Sequence, residues 1–362
     1  METNVVNSNN FRGGVRSSNI ELFRIVSMLM IVAHHYVVNS GLLDCIDAQS
    51  SLRIKDYFLL LLGWGGKTGI NCFVLITGYF MCTSNITKKK FFKLLGEVYF
   101  YKVVIWGIFF ISGYEPFSAK EFLKMLFPFF TVADNFTACF LLFYLLIPFL
   151  NKLIHALTEK EHLVLLAWCM GVYVVLPSFA KANVIFNYIT WFSILYIVAS
   201  FVRLYPKEWF DNQKIVGSIA GISLLFSWTS VILLAFISGH IGKSIGLAYF
   251  FVSDSNKILA LTTGVGAFLF FKNLKMGYSK IVNTVAASTF GVLMIHANSN
   301  TMRRWLWHGV CNNIGAYETG NVVVHAIICV VAVYTVCTII DMLRIRFIEV
   351  PVQRCFNFLK KD

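Results

Sequence analysis

Arg24 and His35 are the residues of this chain best suited to chemistry, and they lie eleven positions apart in the apolar segment 20–39. A helix needs about 20 residues to cross a bilayer, and an arginine within such a helix costs about 2.5–3.5 kcal/mol on insertion scales. Eleven helical steps make about three turns, so both side chains share one face, about 16 Å apart along the axis. Histidine can take a proton from a hydroxyl, and arginine can bind phosphate. His34, a second candidate, points about 100° away.

Lys67 and Asn71 are polar residues in the next apolar segment, where they are four positions apart and share a helical face. We expect a lysine this deep in an apolar segment to form an ion pair or to bind an anionic ligand. The small residues around it also permit close helix packing, so packing and binding both remain open here. His296 lies near the end of a late apolar run, and the same two alternatives hold for it.

Cations and aromatic rings occur together in the string Arg303-Arg304-Trp-Leu-Trp-His308. One interpretation is an aromatic belt at the membrane interface, where tryptophan is common. The other is the rim of a site that handles sugar, because aromatic faces stack on sugar rings. The sequence leaves both open.

The composition indicates how these residues are held. Of the 362 residues, 57% are hydrophobic and 14% charged, with a mean hydropathy of +0.70, whereas soluble domains contain about 25% charged residues. Apolar segments recur along nearly the whole chain, which predicts an all-α polytopic membrane protein with about ten transmembrane helices. No cysteine and histidine cluster has metal-ligand spacing, so we expect no metal site. The segments fall at about 20–39, 58–82, 98–112, 136–150, 162–179, 184–202, 215–238, 257–271, 281–299 and 322–340.

The basic residues predict the orientation. With a cytoplasmic N-terminus, alternate loops place nineteen of the 31 Lys and Arg residues inside and nine outside. The positive-inside rule therefore predicts that both termini are cytoplasmic. The net charge of +13 is then mainly a topology signal and implies no nucleic-acid partner. We divide the chain into a polar cytoplasmic tail (1–19), one transmembrane domain (20–340) and an interfacial amphipathic tail (341–362).

This orientation gives the first pair of residues different positions. Arg24 lies near the cytoplasmic face, and His35 lies toward the outer half of its helix. The ninth helix runs outward, so His296 lies at a similar depth to His35. We therefore expect the two histidines to face one cavity, with Arg24 at the other end of a path through the membrane.

Four sequence strings, in order along most of the chain, resemble the membrane-bound acyltransferase-3 family. The first is Glu21, Arg24 and His35, an acidic residue, an arginine and a histidine at the family spacing. The second is Cys72-Phe-Val-Leu-Ile-Thr-Gly-Tyr-Phe80, with Thr77 in place of the usual serine. The other two strings are Ser288…Gly291-Val-Leu-Met-Ile-His296, and Arg346 followed by Glu349-Val-Pro351.

The resemblance implies a bacterial multi-pass enzyme of the cell membrane that O-acylates surface carbohydrate. Its acyl donor would be cytoplasmic acetyl-CoA, and its acceptor a hydroxyl of a polysaccharide or a lipid-linked glycan. The family histidine maps onto His35 as the catalytic base, and the family arginine maps onto Arg24, with a proposed role in donor binding. His34 and His296 remain further catalytic candidates, and Lys67 and Asn71 remain candidates for contacts with the donor.

Two mechanisms and one different function remain open. His35 could activate the acceptor hydroxyl for direct attack on the thioester, or His35 or His296 could carry the acyl group transiently. Alternatively, a transporter or flippase for a lipid-linked sugar would also place charged residues within membrane spans. Such a protein is expected to show broken helices or repeated halves, and the sequence shows neither.

Overall fold

The structure is a computed structural model that describes residues 17–127, 136–179, 184, 187–352 and 354. These residues are 81% helical and include no strand, which confirms the all-α prediction. The first sixteen residues of the predicted N-terminal tail and residues 353 and 355–362 of the predicted C-terminal tail lie outside the described residues. The α-helices are α1 (Ser18–Val38), α2 (Leu42–Asp47), α3 (Ile54–Gly63), α4 (Gly66–Met81), α5 (Lys88–Ile111), α6 (Ala119–Leu126), α7 (Phe136–Ala156), α8 (Glu159–Met170), α9 (Leu176–Phe179), α10 (Tyr188–Leu204), α11 (Glu208–Asp211), α12 (Gln213–Ile241), α13 (Ile258–Asn273), α14 (Lys280–Ala287), α15 (Thr289–His296), α16 (Asn300–Arg304), α17 (Asn313–Glu318) and α18 (Val322–Arg344).

Seven helical stretches among the described residues are long and apolar enough to cross a membrane. An eighth candidate is the pair 280–296 and 300–318, which bends by 94° at its break. Two shorter apolar helices, α10 and α13, complete the set of apolar segments that the sequence indicates, and each of those ten segments contains helix. The total of ten spans stays a prediction, because α10 and α13 are shorter than the 18 residues of a full candidate span. The seven are 18–38, 54–81, 88–111, 136–156, 159–179, 213–241 and 322–352.

Segments predicted to share the cytoplasmic side contact one another at one end of the molecule. The Asn19 side chain donates hydrogen bonds to the carbonyls of Phe271 and Lys272, at 2.9 Å each. The Ser18 hydroxyl accepts a hydrogen bond from the backbone N–H of Ser279 at 2.8 Å. The start of α1, the end of α13 and the start of α14 therefore lie together. This grouping agrees with the predicted alternation of loops, and the membrane side on which it lies stays a prediction.

Small residues bring α4 directly against α1. A Cβ atom on Gly69 would lie 2.7 Å from the backbone oxygen of Ser27, and one on Gly66 would lie 2.2 Å from the His34 ring. Both distances are too short for any real side chain, so glycine is required for this approach. The two stretches are also the most buried of the seven, with 56% of the window in α1 and 72% in 54–81. Close packing thus fixes the position of α1, the helix that carries His34 and His35.

The C-terminal end of α18 is anchored by a buried ion network centred on Arg344. Its guanidinium contacts Asp341 at 2.8 Å, Glu349 at 3.0 Å and Glu97 of α5 at 3.1 Å. Arg346, the arginine in the C-terminal string of the sequence, is exposed. The helical backbone continues past Arg344 through a π-helical turn at Ile345–Glu349. This network ties α18 to α5, which also lines the cavity described below.

Candidate active site

The site lies where the 94° bend separates α15 from α16. His296 is the last residue of α15, fully buried, and His35 is one turn from the end of α1. Their rings meet with Nδ1 of His35 at 3.0 Å from Nε2 of His296. The expectation that these two histidines lie close together thus holds, but only His35 lines the cavity; His296 is buried behind it, within hydrogen-bond distance of His35.

A backbone carbonyl determines how protons are arranged in this pair. Nδ1 of His296 lies 2.6 Å from the carbonyl oxygen of Val292, and an oxygen of this kind can only accept. Nδ1 of His296 therefore donates, which leaves Nε2 of the neutral ring as an acceptor. His35 must then donate from its own Nδ1, so its Nε2 carries a lone pair. That atom has no hydrogen-bond partner in the part of the chain that the structure describes.

His34 is oriented differently from its neighbour. Its Nδ1 lies 2.6 Å from the carbonyl oxygen of Gly63, at the end of α3, and so it donates a hydrogen bond there. Its ring also presses against Gly66 at the start of α4. His34 therefore bridges the break between α3 and α4 while lining the same cavity as His35.

A cavity of about 900 Å³ opens beside the histidine pair. Both polar and apolar side chains line it, contributed by α1, α4, α5, α6, α7, α10, α15 and the bend after α15. Within the described residues, no group of three or more His, Cys, Asp or Glu side chains could hold a metal ion. The lining residues used below are His34, His35, Lys67, Lys102, Trp106, Phe109, Glu115, Glu121, Lys124, Tyr188, Arg303 and Arg304.

Lys67 lines the cavity, whereas Asn71 does not. The Lys67 ammonium donates to the Tyr188 hydroxyl at 2.9 Å and lies 3.4 Å from an Asp254 carboxylate oxygen. This confirms the expectation that a lysine at this position would have an anionic partner. Asn71 is fully buried, donates to the carbonyl of Ser255 at 2.7 Å and accepts from the Trp191 indole at 2.9 Å.

Arg24 lies about three turns from His35 along α1 and outside the set of residues that line the cavity. Its Nε lies 3.9 Å from a carboxylate oxygen of Glu21, and its side chain is 35% exposed. The arrangement predicted from the sequence, with the arginine and the histidine well separated on one helix, is thus present in the structure.

The aromatic string after the bend is divided between two environments. Trp307 is fully buried and packs edge-on against Tyr36 and His296, with ring centroids 6.0 and 6.5 Å apart. It therefore supports the His296 ring and is inaccessible to a sugar. Trp305 is 37% exposed and contacts Phe109 of the cavity wall. Arg303 and Arg304 line the cavity itself.

Three features of the site lie beyond what sequence reasoning assigned. Tyr188 and Asp254 are the partners of Lys67, and more than 100 positions separate each of them from it. No spacing rule reaches that far along a chain. Lys102 was visible as a charged residue inside an apolar segment, and this was the available signal for its position in the cavity wall.

Together the fold and the site define a polytopic, all-helical membrane protein with a cavity beside a hydrogen-bonded histidine pair. A family model described as an acyltransferase domain matches residues 17–342, nearly the whole chain. The chain therefore belongs to the acyltransferase-3 family and is a membrane acyltransferase. This match favours acyl transfer over the alternative of a transporter or flippase. No curated protein and no solved structure matches the chain.

Proposed function

We propose that this enzyme transfers an acetyl group from cytoplasmic acetyl-CoA to a hydroxyl of a cell-surface polysaccharide or its lipid-linked precursor, in the cell membrane. The observation that carries the proposal is the hydrogen-bonded chain from Val292 through His296 to His35. This chain leaves the Nε2 lone pair of His35 beside a cavity large enough for a sugar. A base with its tautomer fixed by a neighbour is the arrangement that hydroxyl activation requires.

The reaction follows from this arrangement. Nε2 of His35 takes the proton of the acceptor hydroxyl as its oxygen attacks the thioester carbonyl carbon. The new C–O bond forms, the tetrahedral intermediate collapses, and the C–S bond breaks. The coenzyme A thiolate then takes the proton from the His35 imidazolium. His296 stabilises that imidazolium by accepting from its Nδ1–H, and Lys67 is the candidate donor to the developing oxyanion.

The donor would approach from the Arg24 end of α1. The pantetheine arm of coenzyme A separates its thioester from its nucleotide phosphates, so one donor molecule can reach both ends of the helix. We propose that Arg24 binds the phosphates, since guanidinium groups bind phosphate with two parallel hydrogen bonds. Asn71 supports the site by holding α4 against Trp191 of α10 and against the Ser255 backbone just before α13.

The test uses purified protein in detergent, acetyl-CoA and surface glycan extracted from a strain that lacks the protein. Wild type should release free coenzyme A and add O-acetyl esters to the glycan. His35→Ala should lower the rate about 10²–10⁴-fold, while the matched control His155→Ala, on an exposed side chain of α7, should leave it unchanged. Full transfer by a folded His35→Ala variant would overturn the proposal. Radiolabelled acetyl-CoA without acceptor should leave the protein unlabelled, whereas an acylated histidine would show a covalent route.

A further inference from the structure

The cavity wall is strongly basic. Among the described residues, five cationic side chains and two carboxylates line it, an excess of three positive charges. Most positive charges in a membrane protein are expected in loops, where they set topology. Charges that instead converge on one cavity repel one another and require a ligand or a partner. Two of them, Lys67 and Lys102, come from apolar segments, where a charge is especially costly. The cations are Lys67, Lys102, Lys124, Arg303 and Arg304, and the carboxylates are Glu115 and Glu121.

Two of these cations have local partners and do not need a ligand. Lys124 forms an ion pair with Glu121 at 2.6 Å, one turn away on α6. Lys67 bonds to Tyr188 and Asp254. Their positive charges are therefore largely compensated within the protein.

The positive charge of Lys102 is not compensated by an ion pair or a hydrogen bond of this kind within the described residues. It lies in the middle of α5, half-buried, within a stretch long and apolar enough to cross the membrane. Within the described part of the chain its ammonium forms neither a hydrogen bond nor an ion pair. An ammonium group in such a segment without a partner is costly. An anion in the cavity would remove that cost.

Arg303, which also lines the cavity, likewise has hydrogen-bonding capacity that the described residues do not use. Its Nε is buried and has no hydrogen-bond partner among the described residues, and its contact to Asn300 is long, at 3.5 Å. Guanidinium groups make strong, directional hydrogen bonds to carboxylate and phosphate. The segment that carries Arg303 is held in place, because Ser299 caps α16 and Thr301 donates to Glu115.

We infer that Lys102 and Arg303 form an anion subsite for the acceptor, so that the glycan that is acylated carries a negative charge. This inference rests on the proposed function. The subsite lies at the His35 end of α1, away from Arg24, which we assign to the phosphates of the donor. Trp106, one turn after Lys102 on α5, also lines the cavity and is only half-buried, so part of its ring is open to a sugar. The charge on the acceptor is a carboxylate of an acidic sugar or a phosphate of the glycan or its carrier.

The test begins with surface glycan from a strain that lacks the protein, separated by anion exchange into neutral and acidic pools. Purified wild type and radiolabelled acetyl-CoA should place at least about tenfold more label in the acidic pool. Reduction of carboxyl groups and removal of phosphate, applied separately to that pool, distinguish the two sources of charge. Loss of acceptor activity after one of these treatments identifies the anion.

Variants then test whether the preference for acidic glycan depends on Lys102 and Arg303. Lys102→Gln and Arg303→Gln should each raise KM for the acidic pool about tenfold, while KM for acetyl-CoA and residual transfer to the neutral pool stay unchanged. Unchanged neutral transfer also shows that the variants fold. Lys243→Gln, on an exposed side chain that does not line the cavity, is the matched control and should behave as wild type.

Three outcomes would overturn the inference, and they differ in what they leave standing. Label confined to the neutral pool overturns the anionic acceptor but leaves acetyl transfer to carbohydrate intact. A rise in KM for acetyl-CoA in the Lys102 and Arg303 variants assigns the subsite to the donor instead. Absence of label from both pools overturns the carbohydrate acceptor, and thus the proposed function itself.

Discussion

Replacing His296 by leucine tests whether this residue acts through His35. The substitution removes the acceptor that lies 3.0 Å from Nδ1 of His35, while an apolar side chain remains against Trp307 in a fully buried position. The ring of His35 loses its only hydrogen bond from the described residues. We expect kcat to fall, with KM for acetyl-CoA unchanged, because His296 is far from the donor end of α1.

The size of the effect follows from two contributions. A hydrogen bond to neutral His35 contributes about 1 kcal/mol and one to the imidazolium about 1.5–3 kcal/mol, and only the difference lowers kcat. At about 1.4 kcal/mol per factor of ten, this gives about 2- to 30-fold. In addition, without an acceptor the proton of His35 can move to Nε2, the atom that must act as base. We therefore expect a fall of about 10- to 100-fold, less than for His35→Ala.

The assay is coenzyme A release by detergent-purified variants, with folding checked by gel filtration and thermal unfolding. His296→Gln is the matched control, because its side-chain oxygen can accept from Nδ1 of His35 and should restore most of the rate. In the double variant with His35→Ala, the leucine should cost nothing further, since its effect passes through His35. Unchanged kcat in folded His296→Leu, or additive losses in the double variant, would refute the reasoning.

Two further predictions concern stability. Asn71→Leu removes the side-chain hydrogen bonds to the Ser255 carbonyl and from the Trp191 indole N–H, which should lower the free energy of unfolding by about 1–3 kcal/mol for each lost bond. KM for acetyl-CoA of the folded fraction should stay unchanged. A raised KM would instead make Asn71 a donor contact. Arg344→Met leaves buried carboxylates without their cation and should destabilise the protein by about 3–5 kcal/mol. Arg346→Met should be nearly neutral, because that side chain is exposed. Thermal unfolding in detergent measures both, and equal effects would contradict the central position of Arg344.

The sequence predicted the helical fold and the meeting of His35 with His296, since hydropathy sets segment ends and alternation sets depth. It did not predict which partners each polar group has. Asn71 and Lys67 share a helical face, yet only Lys67 reaches the cavity. The segments packed against α4, among them α10 and α13, determine what lies beside each of the two residues. The C-terminal string indicated Arg346 as the arginine that accompanies Glu349. In the structure, the buried Arg344, two residues earlier, forms the ion pair with Glu349. Such choices depend on packing between distant segments, which periodicity does not encode.

The bend after His296 explains how a polar site can exist between apolar helices. Backbone that leaves the helix within a bilayer must satisfy its hydrogen bonds in protein or in a water-filled cavity. Here Asn298 donates to the carbonyl of Met294, and Ser299 caps the next helix, while residues 297–301 line the cavity. Because the helix is interrupted here, polar groups of the bend form this part of the cavity wall, close to His35. A straight helix would have carried Arg303 two turns beyond His296, whereas the bend returns it to the cavity that His35 lines.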